Sequence, residues 1–255
     1  MAKQISIFQF GGKLGTAVGF KNRHGEASVR QAATSYNNPN TLAQRTQRTK
    51  FLGVTNLANA LPRLAIVGLS NYAKSQRMSN RNALTRMCLK ENVLTFTASG
   101  SSLQYALDNT AADKLQLSRG ELTPVPFTSA QSDDPGKVEI DFITPEGINA
   151  ATTKLVVVYQ TVSDGNFGVK VFDIPATTGE HPYQVGIDQH YLGTPVRVWS
   201  YFMDFGSEDA KAYYEQLYGS SNAQTGGRGA SSDIKQLESA AVYSRTTYHG
   251  TANLA

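Results

Sequence analysis

Residues 137–174 read KVEIDFITPEGINAATTKLVVVYQTVSDGNFGVKVFDI, and the spacing of apolar residues in this stretch decides the fold. In KVEIDFIT, Val138, Ile140 and Phe142 alternate with Glu139 and Asp141, the period of two expected of a strand with one buried face. KLVVVYQTV (154–162) and GVKVFDI (168–174) are β-branched and aromatic runs, set apart by Pro, Gly, Asp and Asn, which favour turns. Outward from here the same texture recurs in LQLSRG (115–120), YQVGI (183–187) and VRVWSYFMDF (196–205). In the last, Val196, Val198 and Ser200 alternate with Arg197 and Trp199, which leaves the buried face ambiguous, and Trp199 is expected in the core. Short strands at this spacing predict an antiparallel, immunoglobulin-like β-sandwich over residues 93–219. Cys88 is the one cysteine, so no disulfide joins the sheets and the expectation is a fibronectin-like sandwich held by packing alone.

Toward the N-terminus the texture changes. ISIFQF (5–10) and LGTAVGFK (14–21), separated by Gly11-Gly12-Lys13, predict a hairpin, because glycine supplies the positive φ of a tight turn. A second turn from Asn22 to Gly25 leads into EASVRQAA and extends the hairpin to a small meander with Lys21, Arg23 and Arg30 on its rims. TSYNNPN (34–40) lacks periodicity, and Pro39 disfavours helix at its predecessor, so an extended arm is expected. Asn40 or Thr41 can cap a helix through TLAQRTQRTKFLGVTNLANAL, with Leu42, Phe51, Val54, Leu57, Ala58 and Leu61 near one face. Arg45 and Arg48, three apart, share the other face, with Lys50 following. Pro62 suits the first position of a second helix, PRLAIVGLSNYAK, where no amide hydrogen bond is needed. Ser79 or Asn80 can cap a third, NRNALTRMCLKEN, in which Cys88 beside Leu84 and Met87 reads as a small core hydrophobe.

These elements make a basic hairpin-and-helix module over residues 1–92, and the expected fold class is α+β. After the strands, SEDAKAYYEQLYG (207–219) reads as a short helix with a serine cap and early acids. Residues 220–255 are expected as a flexible linker, SSNAQTGGRGASSD, and an extended C-terminal arm in which Tyr243, Arg245 and Tyr248 make assembly contacts.

Charge divides the chain. Residues 1–90 hold fourteen Lys and Arg against one acid, Glu26, while residues 91–255 hold ten against nineteen, giving +13 and −9 within an overall +4. Segments of opposite sign attract, so the expected partner of the basic half is an anion or the acidic half of a neighbouring copy. Lys21, Arg23, Arg30, Arg45, Arg48 and Lys50 are the candidate contacts for nucleic acid or an acidic partner. The longest apolar run, LAIVGL (64–69), is six residues, against roughly 20 for a membrane span. No membrane association is expected. MAKQISIFQFGG reaches glycine before a signal-length apolar core, so the expected compartment is intracellular.

Catalytic patterns are not evident. GGKLG at 11–15 lacks the spacing of a phosphate loop, and no G-x-S-x-G or H-E-x-x-H occurs. His181, His190 and His249 are dispersed, and Asp133-Asp134 sits beside Pro135-Gly136 in a turn-forming context. The expectation is a protein without catalytic residues, cofactor or metal.

GGKLGTAVGF, NNPNTLAQRTQRTKF, LPRLAIVGLSNYAK, LSRGEL, KLVVVYQ and VRVWSYF follow one another in an order that resembles a family of unknown activity from Bacteroidetes and their phages. That family carries a GG..GK.G..VG hairpin, an NP.T..Q..QR.KF segment, two helices and a C-terminal β-sandwich, and the likeness covers about residues 5–205. After Phe205 the expected final strand is replaced by SEDAKAYYEQLYG and a long tail. The architecture looks like that of virion proteins of tailed phages infecting gut Bacteroidales. The resemblance implies a non-enzymatic virion protein, assembled in the host cytoplasm in multiple copies as a head–tail connector ring or capsid-associated component. Its implied partners are copies of itself, neighbouring virion proteins and packaged double-stranded DNA. The NPNT arm is also similar to the DNA-clasping arms of integration host factor and related histone-like proteins, which begin with helices instead. A DNA-binding architectural module is therefore the alternative expectation, and a host-encoded adhesion module a third.

Overall fold

The computed structural model describes residues 12–21, 27–32, 40–99, 102–107, 109–131, 135–175, 180–187, 192–220 and 232–253. The chain divides into two compact units, Met1–Arg45 and Thr46–Ala255. In the first, β1 (Gly12–Leu14), β2 (Ala17–Lys21) and β3 (Ala27–Gln31) form an antiparallel meander, but LGTAVGFK is not one strand, and Gly12 and Lys13, expected in the turn, lie in β1. Its first turn lies at Gly15-Thr16, because Leu14 pairs with Ala17 and Gly15 takes a φ of +57°, which a side chain resists. ISIFQF, the turn from Asn22 to Gly25 and residues 34–39 lie outside the described residues.

Helix α1 (Leu42–Ala60) starts where Thr41 Oγ1 accepts the Gln44 amide at 3.3 Å. Val54, Leu57, Ala58 and the following Leu61 are buried as the periodicity predicts, whereas Leu42 and Phe51 are exposed. The second expected helix is instead a 3-10 turn, Arg63–Leu69, followed by α2 (Ser70–Ser75). All six residues from Leu64 to Leu69 are buried. Ile66, Val67 and Gly68 are poor helix formers, so packing on every side sets this geometry rather than helical propensity. Helix α3 (Asn80–Glu91) has Ser79 as its cap and closes on Asn92 in the left-handed region. A hairpin of β4 (Leu94–Ser99) and β5 (Ser102–Leu107) and the short α4 (Asn109–Ala112) follow.

The next six strands are β6 (Phe127–Gln131), β7 (Lys137–Ile143), β8 (Thr153–Thr161), β9 (Phe167–Asp173), β10 (Glu180–Gly186) and β11 (Pro195–Asp204). Helices α5 (Glu208–Ser220) and α6 (Ser232–Ala240) then intervene before β12 (Val242–Tyr243) and β13 (Thr247–Asn253). One sheet runs β10–β7–β6; the other runs β9–β8–β11, with β12 and β13 both paired to β11. Counting β13 as the seventh strand after β6–β11, strands one, two and five form one sheet and three, four, six and seven the other. Side chains of the two sheets pack face to face, and the fold is α+β.

Strand β8 explains how the helices are attached. Leu155 and Val157 pack with Ile140, Phe142 and Phe202 between the sheets, while Val156 and Val158 pack with Trp199, Tyr201, Leu61 and Leu64 under the helices. A strand covered on both faces reads as a continuous apolar run, whereas β7 keeps its alternation with Val138, Ile140 and Phe142 fully buried. The helical segment therefore shares a core with the sheet, and the chain parts at residue 45 rather than at 92. Trp199 is fully buried and its indole N–H donates to the Ala112 carbonyl at 2.9 Å, which resolves its facing.

Two sequence expectations are corrected. LQLSRG is not a strand, since the amides of Leu117 and Ser118 donate to Thr246 Oγ1 and that of Arg119 to the Gly68 carbonyl. The segment expected as a C-terminal arm is the closing part of the sandwich. β13 pairs with β11 from Pro195 to Ser200 across a bulge, and Tyr243 is fully buried with its hydroxyl donating to the Glu238 carbonyl. The bulge breaks the period of two that would have marked β13 as a strand. Helix α6 is clamped to the 3-10 turn by a two-pronged ion pair between Arg63 and the buried Glu238. Among the described residues no single helix is long and apolar enough to cross a membrane.

Candidate functional site

Residues 46–90 contain eight Lys and Arg and no acid. Folding turns six of these outward, because α1, α2 and α3 give their apolar residues to the core and leave Arg48, Lys74, Arg77, Arg81, Arg86 and Lys90 exposed. Arg63 instead turns inward to Glu238. The helical layer thus presents a basic face.

Beside that face runs a two-lobed groove. One lobe, of about 380 Å³, is lined by Tyr72, Arg86, Lys90, Asp113, Arg119 and Arg245 among others. The second, of about 440 Å³, shares Tyr72, Arg119 and Arg245 and adds Asn71, Ser75 and Glu121. Both volumes are in the range of small-ligand sites. Helices α2 and α3 form one wall, and the loop 113–121 with the turn 242–246 forms the other.

The second wall is built by hydrogen bonds between those two segments. Thr246 Oγ1 accepts the Leu117 amide at 2.9 Å and the Ser118 amide at 2.7 Å, and donates to the Ser118 carbonyl at 3.3 Å. That uses the whole capacity of one hydroxyl. Ser118 Oγ donates to the Ser244 carbonyl, and the Leu122 amide donates to the Tyr243 carbonyl at 3.1 Å. Gly120 lies against that same carbonyl so closely that a Cβ would overlap it. Arg119 and Arg245 are carried into the groove by this zipper. The Arg119 guanidinium lies 4.6 Å from the Tyr72 ring centroid, and Arg86 Nη1 donates to Gln76 Oε1 at 3.1 Å.

The sequence-predicted contacts fall elsewhere. Lys21 ends β2, and Arg23 lies outside the described residues. Arg30 is exposed on β3 with its guanidinium 5.8 Å from the Phe20 ring centroid, and Arg45 is exposed at the end of the first unit. Arg48 is exposed on α1, and Lys50 lies 5.8 Å from the Phe96 ring centroid. Of the three arm residues, Tyr243 is buried against Tyr201, Tyr248 packs on Trp199 with ring centroids 5.4 Å apart, and only Arg245 faces the groove. Tyr72, Arg86 and Arg119 were not legible as site residues: they come from three separate segments, and Arg119 stood in a presumed strand.

Two further groups carry chemistry in name only. Ser200 Oγ and His249 Nε2 share a hydrogen bond, the pairing of a nucleophile with a base, but they are 0 % and 2 % exposed and cannot meet a substrate. Burial holds the His249 imidazole down to about 4. Burial likewise pushes the Cys88 thiol up to about 12, so it is a core residue rather than a nucleophile. No group of three or more His, Cys, Asp or Glu among the described residues could hold a metal ion.

Negative charge collects around α5, whose first turn holds Glu208 and Asp209. Lys154 binds Asp173 at 3.2 Å and Glu215 at 2.7 Å, and Lys211 binds Asp173 at 2.8 Å, tying α5 to β8 and β9. Burial alone would raise the Asp173 carboxyl, but Lys211 and Lys154 overcome it and hold it below its ordinary value.

A model of a family of unknown function, DUF6266, matches residues 9–218, which reaches into both units and ends within α5, before α6, β12 and β13. No curated protein and no solved structure matches the chain.

Proposed function

We propose that the chain, which belongs to this family of unknown function, is a non-enzymatic structural subunit of a phage particle. It assembles in multiple copies, as a head–tail connector ring or capsid-associated component, by docking its basic helical face on an acidic surface of a neighbouring copy. The observation that carries this reading is the segregation of charge: eight cations and no acid in residues 46–90 against a net −9 in residues 91–255. Six of those cations are exposed on one helical layer, and α5 offers an exposed acidic first turn as a complement. Opposite faces of this kind steer association and weaken as salt screens them.

The test is quantitative mass spectrometry of nuclease-treated, density-purified particles from the native source. Tens of copies or more per particle are expected; a chain left in the unassembled fraction overturns the proposal. A second reading is favoured by Arg45 and Arg48, exposed one turn apart on α1, with Lys50 beside them: a DNA-binding architectural module. Six neutralised phosphates would give a slope of log affinity on log salt of about −5. A flat salt response excludes that reading.

A further inference from the structure

We infer that the groove between α2, α3, the loop 113–121 and the turn 242–246 is a phosphate-binding site, with Arg86, Arg119 and Arg245 as its ligand-holding residues. Three arginines line one open-sided lobe of about 380 Å³. None of the three forms an ion pair with a described residue. Two are steered by neutral groups instead, Arg119 by the Tyr72 ring and Arg86 by the Gln76 amide oxygen, so they are oriented without being neutralised. Lys90 adds an ammonium to the same lobe, with Glu91 4.0 Å away. Glu91 and Asp113 are the acids of that lobe, leaving it with four cations against two anions.

The chemistry of the donors selects the ligand. A guanidinium presents a planar fork that matches two oxygens of a carboxylate or phosphate. One carboxylate satisfies one fork, whereas a phosphate ester offers further oxygens at tetrahedral angles and can be met from several walls. Cations on α3, on the loop and on the turn surround the hollow in that manner. The second lobe, of about 440 Å³, continues past Arg119 and Arg245 to Asn71 and Ser75, neutral hydrogen-bonding groups suited to the remainder of an ester. The site is separate from the α1 cations and does not depend on particle membership.

The experiment is calorimetric titration of the full chain with inorganic phosphate, with thymidine monophosphate, with a ten-nucleotide single strand and with poly-glutamate, at matched ionic strength in chloride. Phosphate and its esters are expected to bind, and Arg119→Gln and Arg245→Gln each to weaken binding about tenfold, the loss of one charge-assisted hydrogen bond. Both residues are exposed, and an unchanged thermal midpoint without ligand verifies that each variant is folded. Arg81→Gln, whose guanidinium pairs with Asn59 away from the groove, should leave affinity unchanged. Tighter binding of the oligonucleotide identifies a nucleic-acid backbone as the source of the phosphate; equal binding of the mononucleotide identifies a free ester. The proposal is overturned if phosphate binds no better than chloride, if the Arg119 and Arg245 variants bind it normally, or if only poly-glutamate binding depends on them.

Discussion

Ending the chain at Ala240 removes β12 and β13 and tests whether the C-terminal residues are an arm or part of the core. Tyr243, fully buried against Tyr201, and Tyr248, whose ring packs tilted on Trp199, are lost together with His249, the partner of Ser200. Deleting one buried aromatic ring costs about 3–5 kcal/mol. Loss of Tyr243 alone amounts to that much, and the partly buried Tyr248 adds to it, before counting the unpaired β11 edge and the exposed flank of Trp199. A domain of this size is stable by only about 5–15 kcal/mol. The truncated chain should therefore fail to fold cooperatively. Trp199 is the only tryptophan, so its emission reports directly on this site. The full chain should show a blue-shifted emission maximum that moves to the red in one transition with urea, and the truncated chain a red-shifted maximum without urea. A truncated protein with a native emission maximum and a cooperative melt would refute the assignment of these residues to the core.

The remaining predictions use other contacts. His249 is held neutral by burial, with a folded value of about 4 against an ordinary 6.5. The unfolded chain then binds the extra proton between those values, so stability is full above pH 6.5, falls by about 3 kcal/mol as pH drops toward 4, and levels below it; urea midpoints across that range should follow this course, and His249→Asn should flatten it. Gly120→Ala places a Cβ against the Tyr243 carbonyl and should destabilise by about 1–3 kcal/mol, while Gly186→Ala, with open space around it, should be nearly neutral by the same melts. Arg63→Ala strands the buried Glu238 and should cost about 3–5 kcal/mol, whereas the double variant Arg63→Met, Glu238→Leu should recover most of it; equal losses in the single and double variants would show that the charge pair is not the cause.

What the sequence made legible follows burial geometry. KVEIDFI was readable because β7 is covered on one side, so its pattern alternates, and the caps were readable to within one residue, as Asn40 or Thr41 and as Ser79 or Asn80, because capping is local; the structure selects Thr41 and Ser79. β8 was recognised as a strand but not as one buried twice, since an apolar run does not say what covers each face. Nothing local in LAIVGL separates a helix from a 3-10 turn when every residue is buried. β13 escaped because a bulge disrupts its alternation and because TYHGTAN holds few apolar residues. The groove was the least legible feature. Its arginines lie on α3, on a loop and on a turn more than a hundred residues further on, and the last two are brought together by hydrogen bonds of Thr246, Ser118 and Leu122.

The position of Arg245 connects the fold to the binding chemistry. It follows Ser244, whose hydroxyl accepts the Phe202 amide at 2.8 Å, and precedes Thr246, which holds the loop that carries Arg119. The turn 242–246 thus fastens the groove to β11, the strand that also supplies Trp199 and Tyr201 to the core under the helices. The cations of α3 rest on that same core through Leu84, Met87 and Cys88. Both walls are therefore mounted on one packed body, and an anion entering the groove meets guanidinium groups whose backbones are already ordered. Less conformational entropy is then lost on binding than with cations on an extended arm.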